Sequence, residues 1–176
     1  NSCGMIIDSP GYQELDSNLI DCTADKIITI KSDNVTFNCN NWEIQGEVDY
    51  GIYVDNADNV TVRNCNINIT GDSGIYYNNS NNGTIKNNNI SGNMTGIYYN
   101  NSNNGTIDNN NVNVSKYGIR IYNGSNSTIT NNDVSTNGTS GSGMYLSSSS
   151  NNNTITNNDI TTNGNLGYGI FLSISS

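Results

Sequence analysis

The chain has 176 residues, a formal net charge of −9 and only 33% apolar residues. Its six basic residues are too few to neutralise a nucleic-acid backbone, which argues against nucleic acid as a partner. No apolar run approaches the ~20 residues that a membrane-spanning helix needs. Eleven of the fifteen carboxylates lie before residue 60, so the N-terminal third is acidic and the remainder is nearly neutral.

The N-terminal segment indicates an exported protein. The chain opens at Asn1 without an initiator Met, which suits a mature product whose signal peptide was removed. Four cysteines, all before residue 66, suit an oxidising compartment and two disulfides; they are Cys3, Cys22, Cys39 and Cys65. Secreted or cell-surface localisation is therefore expected.

From residue 51 onward the sequence is a repeat. The stretch GIYYNNSNNGTIKNNNI (74–90) returns 22 residues later as GIYYNNSNNGTIDNNNV (96–112). The glycine that opens each copy recurs at spacings of 23, 22, 22, 25 and 26 residues, at Gly51, Gly74, Gly96, Gly118, Gly143 and Gly169. One copy cannot bury its own apolar face, so the copies must stack to form a core.

Each copy contains three short apolar runs with strand alternation, separated by Asn, Gly and Ser. In the copy at 74–90 these runs centre on Tyr76, Ile85 and Ile90. Three strands in 22–26 residues predict an all-β fold, a single-stranded parallel β-helix (solenoid) with coils about 4.8 Å apart. The whole chain, 1–176, is expected to form one domain, with a cap module at 1–27 and six or seven stacked coils at 28–176.

Asparagine dominates the predicted corners, where its tolerance of the left-handed conformation is useful. Stacked asparagines can also form amide ladders. Two such columns are predicted: Asn87, Asn109, Asn131 and Asn157, and beside them Asn88, Asn110, Asn132 and Asn158. The composition alone would also permit a disordered Asn/Ser-rich tract; the regular placement of Ile, Val and Tyr argues against disorder.

The cysteines fit this coil arrangement. Cys3 and Cys22 bracket the cap module, and Cys39 and Cys65 fall at nearly matching points of adjacent coils. We therefore expect Cys3–Cys22 and Cys39–Cys65, although four cysteines allow three pairings.

Acceptor triplets for N-glycosylation are frequent, as a chain rich in Asn and Thr would produce by chance. They are compatible with surface glycosylation at Asn34, Asn59, Asn68, Asn82, Asn93, Asn104, Asn113, Asn123, Asn126 and Asn137.

The middle residue of the first strand points outward in every coil and is aromatic or Arg in six of them. This column consists of Tyr53, Tyr76, Tyr98, Arg120, Tyr145 and Phe171. Aromatics and Arg are enriched in protein interfaces, which favours self-association. Sugar stacking and an ordinary β-rich surface are the alternatives.

The C-terminal run 169–176, including Ile174, is strand-like and contains no charged residue or Pro that would prevent pairing with another strand. We expect it to contact the acidic N-terminal end of another copy in a head-to-tail arrangement.

Residues for catalysis or metal binding are sparse. Asp55 and Asp58 are close in sequence, and Asp133 and Asp159 occupy equivalent positions one coil apart, but no base recurs beside them. Lys86 and Asp108, on adjacent coils, are interpreted as a surface ion pair. The chain has no His, so we expect no zinc site, no metal or cofactor and no catalytic residues. An ice-binding face would need two parallel Thr columns, and Thr-x-Thr occurs only at 128–130 and 154–156.

The pattern Gly-Ile-Tyr-x-x-x-Ser-x-x-x-Thr-Ile-x-Asn-Asn-x-Ile resembles the right-handed parallel β-helix repeat of NosD-like and methanogen surface proteins. The segment from Cys3 to Cys22, with the strands at 28–30 and 34–37, resembles the N-terminal module of archaeal extracellular members. The resemblance covers essentially the whole chain. Residues 38–42 (NCNNW) depart from the Asp-Gly-x-Gly-His stretch usual in the family. The association of NosD with copper does not carry over, because His is absent and Met5, Met94 and Met144 are scattered.

The same coil serves lyases, epimerases, tailspikes and inert surface proteins, so the resemblance predicts fold more strongly than function. We expect a non-enzymatic extracellular structural protein, an archaeal surface, sheath or filament subunit that assembles with itself through axial and lateral contacts. The alternative is a carbohydrate-binding or carbohydrate-processing protein of the lyase or epimerase kind, with glycans as partners.

Overall fold

The computed structural model describes residues 1–92 and 94–173, and within these ranges every regular element is a β-strand. The strands form three parallel sheets, here named A, B and C. Sheet A contains β1 (Met5–Ile7), β4 (Lys26–Ile30), β7 (Tyr50–Asp55), β10 (Ser73–Asn78), β13 (Thr95–Asn100), β16 (Tyr117–Tyr122), β19 (Ser142–Ser147) and β22 (Tyr168–Ser173). Sheet B contains β2 (Gly11–Glu14), β5 (Val35–Asn38), β8 (Thr61–Arg63), β11 (Thr84–Lys86), β14 (Thr106–Asp108), β17 (Thr128–Thr130) and β20 (Thr154–Thr156). Sheet C contains β3 (Leu19–Cys22), β6 (Glu43–Gly46), β9 (Asn66–Ile69), β12 (Asn89–Gly92), β15 (Asn111–Val114), β18 (Asp133–Thr136) and β21 (Asp159–Thr162).

The chain visits the three sheets in turn, and each strand pairs in parallel with the strand three places later. This path is a right-handed β-solenoid of seven coils, to which β22 adds the start of another. The predicted fold class is confirmed. The N-terminal segment is itself the first coil, because β1 pairs with β4 in the register Met5↔Ile28 and Ile7↔Ile30.

Inward Ile, Val and Tyr side chains fill the interior of the solenoid. The two largest members, Tyr77 and Tyr99, are fully buried and stack with ring centroids 4.8 Å apart and 8° between the planes. Their volume is accommodated by glycines at the next corner: a Cβ on Gly83 would lie 2.3 Å from Tyr77, and one on Gly105 would lie 2.5 Å from Tyr99. The glycine of the recurring Asn-Gly-Thr segment is therefore required by the packing of these tyrosine rings.

The repeated glycine at the start of the sheet A strands is required by close approach between coils. A Cβ on Gly74 would lie 2.5 Å from Ile90 and 2.9 Å from the Gly96 carbonyl oxygen. Such distances are shorter than real Cβ contacts, so any larger residue would push sheets A and C apart.

A ladder of buried asparagines occupies the corner between sheets B and C. Asn88, Asn110 and Asn132 are at most 2% exposed. The Asn88 amide nitrogen donates to Asn110 Oδ1 at 2.9 Å, and the Asn110 amide nitrogen donates to Asn132 Oδ1 at 3.0 Å. Each Oδ1 also accepts the backbone N–H of the preceding coil, and Asn110 Nδ2 additionally donates to the Ile85 carbonyl. The ladder therefore satisfies backbone groups that the bend removes from the sheets.

Two disulfides hold the N-terminal coils. Cys3 is joined to Cys22 with Cα atoms 5.6 Å apart, and Cys39 to Cys65 with Cα atoms 4.8 Å apart. These are the pairs expected from the sequence. Cys65 occupies the corner position that Asn88 has one coil later, since the Cys65 N–H donates to Asn88 Oδ1 at 3.0 Å. The second disulfide thus occupies the corner position next to the first asparagine of the ladder.

The ladder predicts a specific effect on stability. Asn110→Ala removes the oxygen that accepts both the Asn88 backbone N–H and the Asn88 side-chain amide. Each buried donor left unpaired costs about 1–3 kcal/mol, so the urea midpoint should fall clearly. Asn111→Ala is the matched control, because Asn111 is exposed on the neighbouring strand position. Equal midpoints for the two variants would show that the ladder does not stabilise the corner.

Candidate interaction surface on sheet A

The outer face of sheet A carries a column of half-buried aromatic side chains with one arginine. Strand register aligns the column residues one per coil, in the order Tyr53, Tyr76, Tyr98, Arg120, Tyr145 and Phe171. Their neighbours in sequence, such as Ile75 and Tyr77, are buried in the core. The strand alternation predicted from the sequence thus places these side chains outside.

The column is continuous through direct contacts. Ring centroids of Tyr53 and Tyr76 lie 5.0 Å apart, and those of Tyr76 and Tyr98 lie 4.8 Å apart. The Arg120 guanidinium carbon lies 4.5 Å from the Tyr98 ring centroid and 5.8 Å from that of Tyr145. Tyr145 and Phe171 stack at 5.1 Å. Arg120 therefore continues the column by cation–π contacts where an aromatic residue is missing.

A second row of tyrosines, which the sequence analysis missed, broadens this surface. Tyr50, Tyr117 and Tyr168 start their strands, and their ring centroids lie 5.2, 4.9 and 5.1 Å from those of Tyr76, Tyr145 and Phe171. In the intervening coils, the equivalent position is occupied by the buried residues Ser73, Thr95 and Ser142. Tyrosine is therefore not the consensus residue of the repeat at this position. The signal that could have revealed it is a tyrosine three residues before a column residue. We call the column together with these three tyrosines the aromatic face.

Burial shapes the electrostatics of the aromatic face. Partial burial is the main cause that raises the pKa of Tyr76, to about 12. Burial also raises the pKa of Tyr98, although the nearby Arg120 charge opposes that effect. The phenols of Tyr76 and Tyr98 are therefore neutral at physiological pH, and their hydroxyls can donate or accept hydrogen bonds. Ring faces packed on each other, as in Tyr145 and Phe171, are not available for stacking on a flat sugar ring.

The last coil exposes residues that earlier coils bury. Ile170 is 47% and Leu172 is 64% exposed, whereas their partners Met144 and Leu146 one coil earlier are 0% and 5% exposed. Beside them, a groove of about 310 Å³ runs from the aromatic face to the corner loop and is lined by Tyr117, Tyr145, Leu166, Tyr168 and Phe171, with Ser140 and Ser142. The expected contact residue Ile174 lies outside the described residues.

The carboxylate pairs do not converge on an active site. Asp133 and Asp159 are register partners, and both are exposed. Asp55 Oδ1 accepts hydrogen bonds from Asn56 and Asn78, and Asp58 Oδ1 accepts them from Asn81, so these two carboxylates belong to corner networks. Residues 1–92 and 94–173 contain no group of three or more His, Cys, Asp or Glu placed to hold a metal ion.

The surface ion pair interpreted from the sequence is not formed. Lys86 and Asp108 are register partners, but within the described part of the chain the ion pairs do not include them. Asp108 Oδ1 instead accepts a hydrogen bond from Asn131 Nδ2 at 2.9 Å. The amide one coil later competes for this carboxylate, and an exposed lysine gains little by an ion pair.

The acceptor asparagines proposed for glycosylation are exposed wherever the structure describes them. They are Asn34, Asn59, Asn68, Asn82, Asn104, Asn113, Asn123, Asn126 and Asn137. Asn93 lies outside the described residues.

Comparisons with known proteins identify the architecture. The model of the family described as "Periplasmic copper-binding protein (NosD)" matches residues 2–170. Among solved structures, the alginate lyase from Paenibacillus sp. str. FPU-7 is similar, with a TM-score of 0.50 and 10% sequence identity. The alignment covers 99% of this chain and 89% of that chain, and at this identity it shows a shared fold alone. A search of curated proteins finds no significant match. In the described residues, no helix is long and apolar enough to cross a membrane.

The buried tyrosines predict an unusual alkaline titration. Burial raises the pKa values of Tyr77 and Tyr99 and brings that of Tyr76 to about 12, whereas an unfolded tyrosine titrates near pH 10. The folded state holds these protons more tightly, so stability should be intact below about pH 10 and fall as pH rises toward 12. Absorbance of tyrosinate should show a late-titrating group among the eleven tyrosines. A single transition near pH 10 in the folded protein would contradict this.

The copper in the family description requires a separate test against the residues present. Protein copper sites use imidazole, thiolate or thioether ligands. This chain has no His, and its four cysteines form disulfides. Met144 is buried in the core while Met94 is exposed in another coil, so thioethers do not converge either. The residues do not fit a copper site. The family match over residues 2–170 and the three-sheet coil agree with each other, and the chain belongs to the NosD family of parallel β-helix proteins.

Proposed function

We propose that this chain is a non-enzymatic structural protein of the cell surface, a sheath or filament subunit whose copies associate with one another outside the cytoplasm. The periplasmic family and two disulfides support an oxidising compartment. The observation that carries the proposal is the aromatic face, in which aromatic rings and Arg120 form one continuous outward column on sheet A.

The proposal also places an axial contact at the last coil, where Ile170 and Leu172 are exposed, with a second copy of the chain as its occupant. The opposite end is closed over its own core, since Leu15, Leu19 and Ile7 are at most 6% exposed. The N-terminal third also carries eleven of the fifteen carboxylates. The last coil carries one carboxylate, Asp159, and its exposed apolar residues therefore pair better with their own counterparts than with the acidic N-terminal coils. In place of the head-to-tail contact expected from the sequence, we propose that two C-terminal coils meet about a two-fold axis.

Strand geometry supports such a contact. β22 is an edge strand of sheet A. The backbone N–H and C=O groups on its side away from β19 have no partner strand within residues 1–92 and 94–173. A two-fold axis perpendicular to the rod would set two β22 strands antiparallel, which satisfies those groups and covers Ile170 and Leu172. The contact is isologous and closes on itself.

The aromatic face provides the lateral contact in this proposal. Its rings and Arg120 are of the residue types that dominate interface cores. The rings already contact one another, so little side-chain freedom is lost when a partner covers them. Two different self-complementary surfaces on one copy, one at the end and one along the side, allow the assembly to grow beyond a dimer.

The axial contact predicts an effect of charge at the open end. Ile170→Lys with Leu172→Lys should abolish the end contact, because four lysines would then face each other across the two-fold axis. Ile20→Lys is the control, since Ile20 is exposed to a similar degree, 48%, but lies on the first coil. Sedimentation velocity over a range of concentrations should show smaller species for the double variant only. A parent chain that stays monomeric at high concentration would refute the proposal.

The lateral contact has its own test. Tyr76→Lys with Tyr98→Lys should reduce any species larger than the end-to-end dimer in electron micrographs and in sedimentation. Asn111→Lys with Asn113→Lys places the same charge on the outer face of sheet C, where both asparagines are exposed, and should leave assembly unchanged. Equal loss in both variants would show that added charge, rather than the aromatic face, controls assembly.

The non-enzymatic part of the proposal is tested by incubation with alginate, pectate and hyaluronan, with and without calcium. We expect no unsaturated uronate, because Asp133 and Asp159 are exposed and no basic residue recurs beside them. A rise in unsaturated uronate absorbance that Asp133→Ala or Asp159→Ala abolishes would replace the structural proposal with a lyase.

A further inference from the structure

Three corner columns of the solenoid hold asparagine with positive φ, the left-handed conformation. The column after sheet A consists of Asn56, Asn79, Asn101 and Asn123. The column before sheet B consists of Asn34, Asn59, Asn82, Asn104, Asn126 and Asn152. The column after sheet B consists of Asn64, Asn87, Asn109, Asn131 and Asn157. All three use the same backbone conformation, so differences between them must come from side-chain chemistry.

Two of these columns use their side-chain amides to tie coils together. After sheet A, Asn123 Nδ2 donates to Asn101 Oδ1 at 2.9 Å. After sheet B, Asn109 Nδ2 donates to Asn87 Oδ1 at 2.8 Å. The column before sheet B has one such bond, from Asn59 Nδ2 to Asn34 Oδ1 at 3.2 Å. In its later coils, Asn82, Asn104 and Asn126 are exposed and make no side-chain hydrogen bond to the described chain.

The column before sheet B is also distinguished by a threonine that accompanies each asparagine. This threonine lies two residues after the asparagine. It is the first residue of its sheet B strand in five coils and the second residue of β5 in the other; the six are Thr36, Thr61, Thr84, Thr106, Thr128 and Thr154. Every member of the column is therefore in an Asn-x-Thr acceptor triplet for N-linked glycosylation. In the other two columns, only Asn123 has Ser or Thr at this distance.

Two acceptor triplets outside this column provide a comparison within the same chain. Asn78-Asn79-Ser80 and Asn100-Asn101-Ser102 are also acceptor triplets. There, Asn78 Nδ2 donates to Asp55, Asn100 Nδ2 donates to Tyr76 and Asn78, and both serines are fully buried. All four triplets match the acceptor motif equally well in sequence. In the structure, the asparagines at 78 and 100 are hydrogen-bonded, whereas those at 82 and 104 are exposed.

We propose that the column before sheet B is an attachment stripe for N-linked saccharides, occupied on non-adjacent coils. Neighbouring asparagines in the column are one strand spacing apart, about 4.8 Å. A saccharide chain is bulky, so one attached at Asn82 blocks attachment at Asn59 and Asn104. At most three of the six column asparagines then carry a saccharide in one molecule. The bonded asparagines of sheet A, Asn78 and Asn100, stay unmodified.

The test is secretion of the 176-residue chain from a host that has an oligosaccharyltransferase, followed by intact mass and site-resolved glycopeptide mass spectrometry. We expect saccharide at Asn82, Asn104 and Asn126, never on two adjacent column asparagines of one molecule, and none at Asn78 or Asn100. Spontaneous deamidation at Asn-Gly does not interfere, because the intact saccharide mass is read directly.

A matched pair of variants tests the blocking between coils. Thr84→Val keeps the left-handed Asn82 and the β-branched shape but removes the acceptor hydroxyl, while Thr84→Ser keeps the hydroxyl. With Thr84→Val, we expect complete loss of saccharide at Asn82 and a rise in occupancy at Asn104; with Thr84→Ser, occupancy at both sites should remain. Secreted protein without saccharide, modification of Asn78 or Asn100, or saccharide on adjacent column asparagines would each overturn the proposal.

Discussion

Backbone groups at the corners of a coil cannot all be satisfied by the three sheets, and stacked asparagines satisfy them at the corner between sheets B and C, from Asn88 to Asn158. At the corner between sheets B and C, one Oδ1 accepts two donors from the preceding coil, and the amide nitrogen of the same residue donates onward. The bonds run along the rod axis, parallel to the ladder bonds of the sheets. Each coil therefore stabilises the next, and at this corner hydrogen bonds supplement a lean apolar core.

This dependence explains where the chain departs from its own repeat. Near the N-terminus, a disulfide between Cys39 and Cys65 replaces the asparagine pair, so a covalent bond closes the ladder. Where Tyr77 and Tyr99 widen the core, Gly83 and Gly105 supply the space. At the other end nothing in the described chain replaces the next coil: Gly169 has open space where its equivalents have a neighbouring coil, and Ile170 and Leu172 are exposed.

The outer faces of the solenoid carry different chemistry on a common frame. Sheet A presents the aromatic face, with bonded asparagines at its edge. The corner before sheet B presents, at Asn82, Asn104 and Asn126, exposed amides that make no side-chain hydrogen bond to the described chain and lie beside threonine hydroxyls. The two proposals use different surfaces and are compatible with each other, because saccharides attached before sheet B would leave the aromatic face uncovered for contact with another copy. In the described residues, neither surface has the clustered acids, bases or soft ligands that would support catalysis or the copper binding of the family description.

The coil, its three strands and the inward-facing residues could all be predicted from the amino-acid sequence, because a period of 22–26 residues and strand alternation are local and repeat many times. It also indicated the column from Tyr53 to Phe171. The second row at Tyr50, Tyr117 and Tyr168 escaped it, because Ser or Thr holds the same position in the intervening coils and only the structure shows that these tyrosine rings contact the column. Nor could it show that Asp108 bonds Asn131 instead of Lys86, or that the first coil buries Leu15 and Leu19 whereas the last described coil exposes Ile170 and Leu172. Those features depend on which groups meet across coils, because groups that are distant in sequence compete for the same hydrogen bond once the coils stack.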